Sequence, residues 1–88
     1  MKSVWKYPLP LAERQIVEMQ ANAKIVFVGT QGDQICIWAL VDTEQVKEPR
    51  TFVIFGTGHQ ISTSARALEY ISTVQQSIFV WHIFEEIE

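Results

Sequence analysis

Two stretches of this chain are apolar on both faces of an extended strand. In residues 34–42 one face carries Ile35, Ile37, Ala39 and Val41, and the other carries Cys36, Trp38 and Leu40. Residues 77–84 repeat the arrangement, with Phe79, Trp81 and Ile83 opposite Ile78, Val80 and Phe84. An antiparallel sheet in a small monomer shows one face to water and alternates apolar with polar side chains. Strands that break this alternation have both faces covered. The cover comes either from their own chain, in a closed barrel or sandwich, or from a second copy packed on one face. The chain has 88 residues, which is room for one core. A domain this small buries only about 60–65% of the surface its unfolded chain exposes, so its core needs a supplement. Cys36 is the only cysteine, which excludes an internal disulfide. Two histidines 23 positions apart and one cysteine make no structural zinc set. Oligomerisation remains, and a homo-oligomer is expected.

The rest of the chain reads as strands punctuated by turns, without repeats or low-complexity tracts. Val4 to Leu9 alternates, with Trp5 and Tyr7 on one face, and ends at Pro8 and Pro10 in the manner of an edge strand. Gln15 to Met19 either continues a helix begun at Leu11 or forms a short strand. Lys24 to Thr30 and Gln34 to Asp42 form a hairpin across Gln31-Gly32-Asp33. A polar loop, Thr43 to Pro49, leads to a strand from Arg50 to Phe55, which stops at Gly56-Thr57-Gly58-His59. Residues 62–67 read as a loop or a single helical turn. Glu69 to Val74 and Ser77 to Phe84 pair as a second hairpin around Gln75-Gln76, and residues 85–88 read as a solvated acidic tail. The expectation is one domain over residues 1–88, all-β or mainly β with a short helical turn, built as a small antiparallel sandwich or barrel.

Seven basic side chains against 10 acidic ones, with no basic run, disfavour duplex nucleic acid, whose binding is dominated by phosphate neutralisation. The apolar runs are far shorter than the ~20 residues of a membrane span, and Met1 to Pro8 has no apolar leader segment. A soluble cytosolic protein with a free thiol is expected.

Gly56-Thr57-Gly58-His59 is the segment most suggestive of a site. Its glycines permit close backbone approach, and successive amides there can hold an anion, with Arg50, Arg66 and Lys47 near in sequence. It matches neither a Walker loop nor a dinucleotide fingerprint, and a strand-ending turn explains the glycines equally by geometry. His59, in the loop, is the better functional histidine. His82, between Trp81 and Ile83, reads as a hydrogen-bonded structural residue. Cys36 lies mid-strand as a small hydrophobe, and no serine lies in a nucleophile elbow. Trp38 and Trp81 read as core, which leaves Trp5 and Tyr7 as the stacking candidates. The expected ligand-binding set is Gly56, Thr57, Gly58, His59, Arg50, Arg66, Trp5 and Tyr7. No catalytic residues, metal or cofactor are expected.

Trp5-Lys6-Tyr7-Pro8, Gly56-Thr57-Gly58-His59 and the closing His82-Ile83-Phe84-Glu85 carry a resemblance across nearly the whole chain. It resembles a family of short phage and prophage proteins of unknown function with the pattern W-K-Y-P, G-T-G-H and H-x-F-E. The resemblance implies a phage origin, action in the host cytoplasm and binding to something in the host. Two readings follow. One is an anti-defence protein that oligomerises and sequesters a nucleotide-derived immune signal. The other is a protein-interaction module that covers a surface of a host or defence protein.

Overall fold

The computed structural model describes residues 1–61 and 67–87. Among these are seven strands and no helix: β1 (Lys2–Pro8), β2 (Arg14–Gln20), β3 (Lys24–Gln31), β4 (Gln34–Asp42), β5 (Lys47–Gly56), β6 (Ala67–Gln76) and β7 (Phe79–Ile87). All pairings are antiparallel, and they build two sheets, in the orders β1-β4-β3 and β2-β5-β7-β6. The fold is therefore an all-β sandwich. The expected loop or helical turn at 62–67 falls almost wholly outside the described residues.

β1 is an edge strand, running from Lys2 opposite Asp42 to Pro8 opposite Cys36, and the prolines end it because they have no N–H to donate. Leu9, fully buried, turns the chain into the second sheet. Its N–H donates to the Ile35 carbonyl at 2.8 Å, and the Gln34 side-chain amide donates to its carbonyl at 3.1 Å. The choice between helix and strand after Leu11 resolves to strand. Val17 and Met19 turn inward while Ile16 and Glu18 turn out, a period of two, and the open edge of β5 pairs with the whole of β2.

The first hairpin is as read. Gly32, at φ +62°, is the first of two central residues, the place glycine takes in a type II′ turn. The second hairpin turns two residues later than expected. Gln75 and Gln76 pair with Val80 and Phe79, and Ser77-Ile78 makes the turn with Ser77 at φ 56°. Serine there carries no glycine signal. β5 begins at Lys47, three residues early, because β2 holds it. Pro49 falls before β7 joins at Thr51, where one side of β5 has no ladder to lose. The acidic end is also corrected. Residues 85–87 continue β7, because Phe52 and Glu69 flank Glu85 on either side.

Inward residues of both sheets make the core, with Leu9, Met19, Ile35, Ile37, Val41, Phe52 and Ile83 fully buried. The second apolar faces are covered unequally. Outward Val53 and Phe55 are buried, and Phe84 meets Phe55 and Tyr70 edge-on at 6.1 and 5.7 Å between ring centroids. On the first sheet Cys36 is buried, but Phe27, Val4 and Leu40 are exposed.

Candidate functional site

β5 ends at Gly56, where the chain reverses. The Gly56 carbonyl accepts from the His59 N–H at 3.0 Å, and Gly58, third in this turn, has φ +85°. A type II turn demands that φ at its third residue, and glycine supplies it without steric cost. The Gly56 N–H then donates to His59 Nδ1 at 3.1 Å, which places the proton of the neutral imidazole on Nε2. The ring lies so close over Gly56 that a Cβ there would sit 2.7 Å from His59 Cε1. Two amides that an anion-holding concavity would use are thereby engaged within the turn.

His59 meets Trp81 edge-on, with ring centroids 6.4 Å apart. Trp81 is fixed in turn. It donates from Nε1 to Gln76 Oε1 at 3.1 Å and stacks on Phe79 at 5.7 Å. The His59–Trp81 pair is a wall shared by two hollows. One, of about 400 Å³, is lined by Leu11, Glu13, Ile54, Phe55 and Gln60 beside the wall. The other, of about 470 Å³, is lined by Gly56, Thr57, Ile78, Phe79 and Val80. Both fall within the ~300–1,000 Å³ of small-ligand sites.

The outer face of the same corner is laced by hydroxyls. Thr57 Oγ1 lies 2.8 Å from His82 Nε2, Thr73 Oγ1 lies 3.1 Å from His82 Nδ1, and the Tyr70 hydroxyl lies 2.8 Å from Thr73 Oγ1. A neutral imidazole has one donor and one acceptor, so the two threonines take opposite roles and tie the turn to β6 and β7. No group of three or more His, Cys, Asp or Glu side chains among the described residues is placed to hold a metal ion.

One family, described as Domain of unknown function (DUF7352), matches residues 1–88. The chain belongs to the DUF7352 family. No curated protein and no solved structure matches it.

In this DUF7352 domain the residues expected to bind ligand do not converge. Arg50 lies six residues before Gly56 on an extended strand, about 20 Å away. Its Nε and Nη2 donate to the two oxygens of Glu85 at 2.6 and 2.8 Å, and Nη1 donates to the Ala23 carbonyl at 2.7 Å. The Glu85 hydrogen bond raises the Arg50 pKa above its ordinary value, against the effect of burial. Arg66 lies outside the described residues. Trp5 and Tyr7 sit opposite Ala39 and Ile37, on the inward face of β1. Tyr7 packs on the core, and its buried hydroxyl has no hydrogen-bond partner among the described residues. Trp5 remains partly exposed at the sheet margin.

Gly56 to His59 are joined instead by Trp81, Leu11 and His82. Sequence reasoning placed Trp81 in the core and His82 in a structural role, and it did not single out Leu11. The neighbourhood arises from the pairing of Gly56 with Trp81 and of Phe55 with His82, which no local pattern signals.

Proposed function

We propose that this protein binds a small planar ligand at the His59–Trp81 wall and does not turn it over. The two hollows sharing one aromatic wall carry this reading. A flat heteroaromatic group fits against Trp81 and Leu11, with Glu13, Gln60 and the His59 Nε2–H as the polar groups that orient it. A nucleobase has that chemistry: a stackable face and a donor and acceptor edge. Binding without turnover is supported by His59, whose Nδ1 is occupied by the Gly56 backbone amide and so is not open to take a proton.

The setting proposed for this activity is a phage protein in the host cytoplasm, where a homo-oligomer sequesters a nucleotide-derived immune signal. The resemblance of Trp5-Lys6-Tyr7-Pro8 and Gly56-Thr57-Gly58-His59 to short phage proteins supports the setting, and the exposed apolar residues support assembly. Thermal denaturation with cyclic nucleotides and ADP-ribose derivatives tests the binding. A true ligand at a hundredfold over its Kd adds about 2.7 kcal/mol, roughly 10–20 °C in Tm for a domain of this size. Native mass spectrometry should then show the ligand retained unaltered at a fixed stoichiometry. No shift with any nucleotide derivative, and a bare monomer by mass, would end this reading.

The tip of the β6–β7 hairpin favours a second. Ile78 is 84% exposed and stands beside exposed Phe79 and Val80, an apolar tip suited to insertion into a groove of a host protein. Loss of a stoichiometric host partner on Ile78→Asp, the fold being intact, would select it.

A further inference from the structure

The outward face of β1, β4 and β3 has a pattern that the His59–Trp81 site does not account for. The strand registers set it out in rows: Val4–Leu40–Lys24, then Lys6–Trp38–Phe27, then Pro8–Cys36–Gly29, with Lys2 opposite Asp42 at the near end. Phe27 reaches this face only because of a β-bulge. The register shifts between Ile25 and Phe27, and Val26 is the extra residue. Were Val26 paired with Trp38 in an unbulged register, Phe27 would fall opposite Ile37 and point into the core. The bulge leaves Phe27 61% exposed and tilted against Trp38 at 5.6 Å between ring centroids. Gly29 makes room for the ring, since a Cβ there would lie 2.6 Å from Phe27 Cε2.

The face is also basic within an acidic chain. The three strands carry Lys2, Lys6 and Lys24 against one carboxylate, Asp42, whereas the strands of the other sheet carry three basic and five acidic side chains. Asp42 is held by the Met1 ammonium at 3.2 Å, and Lys6 Nζ donates to the neutral Gln31 Oε1 at 2.7 Å. Among the described residues none of the three lysines is in an ion pair.

We propose that this face binds single-stranded DNA, with bases stacking on Phe27 and Trp38 and the backbone running past Lys2, Lys6 and Lys24. The rows span about 20 Å along the strands, room for a few nucleotides. An aromatic pair, with Phe27 exposed and Trp38 half-buried beneath it, flanked by lysines outside ion pairs is the chemistry that sequence-tolerant single-strand binding uses. DNA is favoured over RNA because Val4, Leu40, Pro8 and Gly29 offer no side-chain polar group to receive a 2′-hydroxyl. The site lies on the opposite sheet from the hydroxyl-laced corner, so it stands or falls independently of the ligand reading.

The test is an NMR titration of the ¹⁵N-labelled protein with a thymidine hexanucleotide in 50 mM salt. Shifts are expected at the Trp38 indole, Gly29, Lys6 and Lys24, with half-saturation between about 1 and 100 μM. Three phosphate contacts give a salt slope of about −2.1, so 200 mM salt should weaken binding about 18-fold. Phe27→Ala should weaken it about 5- to 150-fold, the loss expected for one stacked base. Gly29→Ala, which keeps the ring but displaces it, should act in the same direction, while Lys47→Gln on the other sheet should change nothing. Absence of shifts at 1 mM oligonucleotide, shifts confined to the second sheet, or unchanged affinity of Phe27→Ala would overturn the proposal. Tighter binding of a uridine hexanucleotide would overturn the choice of DNA. Sedimentation showing a dimer that Phe27→Ala dissociates would assign the face to a second copy instead.

Discussion

Replacing Arg50 by methionine should cost this domain a large part of its stability. The guanidinium forks onto Glu85 through two hydrogen bonds of 2.6 and 2.8 Å and reaches across to the Ala23 carbonyl at 2.7 Å. The side chains are only 24% and 13% exposed, so removing the cation leaves a carboxylate with little water to replace it. Breaking one side of a buried pair costs about 3–5 kcal/mol, and the residual exposure here lowers the expectation to about 2–3 kcal/mol. With an m-value near 1 kcal/mol/M for a chain of this size, the urea midpoint should fall by about 2–3 M. Arg50→Lys should be intermediate, because an ammonium cannot fork onto both carboxylate oxygens. Adding Glu85→Leu to Arg50→Met should recover more than half of the loss, since an apolar pair in place of a buried ion pair is close to neutral. A midpoint for Arg50→Met within about 0.5 M of the parent would refute this structural role and return Arg50 to the pool of ligand-binding residues.

Three further outcomes are expected. Gly56→Ala puts a Cβ 2.7 Å from His59 Cε1 and should break the bond from the Gly56 amide to Nδ1, lowering Tm by about 4–8 °C for a loss near 1 kcal/mol. An unchanged Tm would mean that the ring is not held there. Ser77→Gly should stabilise the second hairpin by up to about 1 kcal/mol in a urea melt, since serine at φ 56° bears a left-handed cost that glycine avoids and only partly gives back in entropy. Tyr7→Phe removes a buried hydroxyl that has no partner among the described residues and should leave stability equal or raise it by about 1 kcal/mol; a loss of that size would reveal a hydrogen bond.

Much of the architecture was legible because strands announce themselves locally. The period of two in β1, the Gly32 turn and the run ending at Gly56 are written in neighbouring residues, and the interaction that sets each is equally short in range. The second hairpin was misread by two residues because Ser77 carries no turn signal. The end of β7 was misread because a run of glutamates looks solvated until β5 and β6 are known to flank it.

The candidate site was legible only in part. The Gly56–His59 turn stood out from its glycines, but Arg50 was grouped with it by proximity in sequence, and an extended strand carries six residues about 20 Å. The aromatic stacking candidates were sought on β1, yet parity turns Trp5 and Tyr7 inward, while the bulge at Val26 turns Phe27 out. A bulge is one residue added to a register, and a register exists only between strands that have already paired. The sequence by itself thus determined that this chain is β-structured, where most of its strands lie and which turn closes β5, because each depends on backbone preferences of adjacent residues. Only the tertiary structure decided which face each strand shows to water, that Arg50 is joined to Glu85, and that His59 stands against Trp81. Those follow from pairings between residues 20 to 40 positions apart, whose partners no local pattern names.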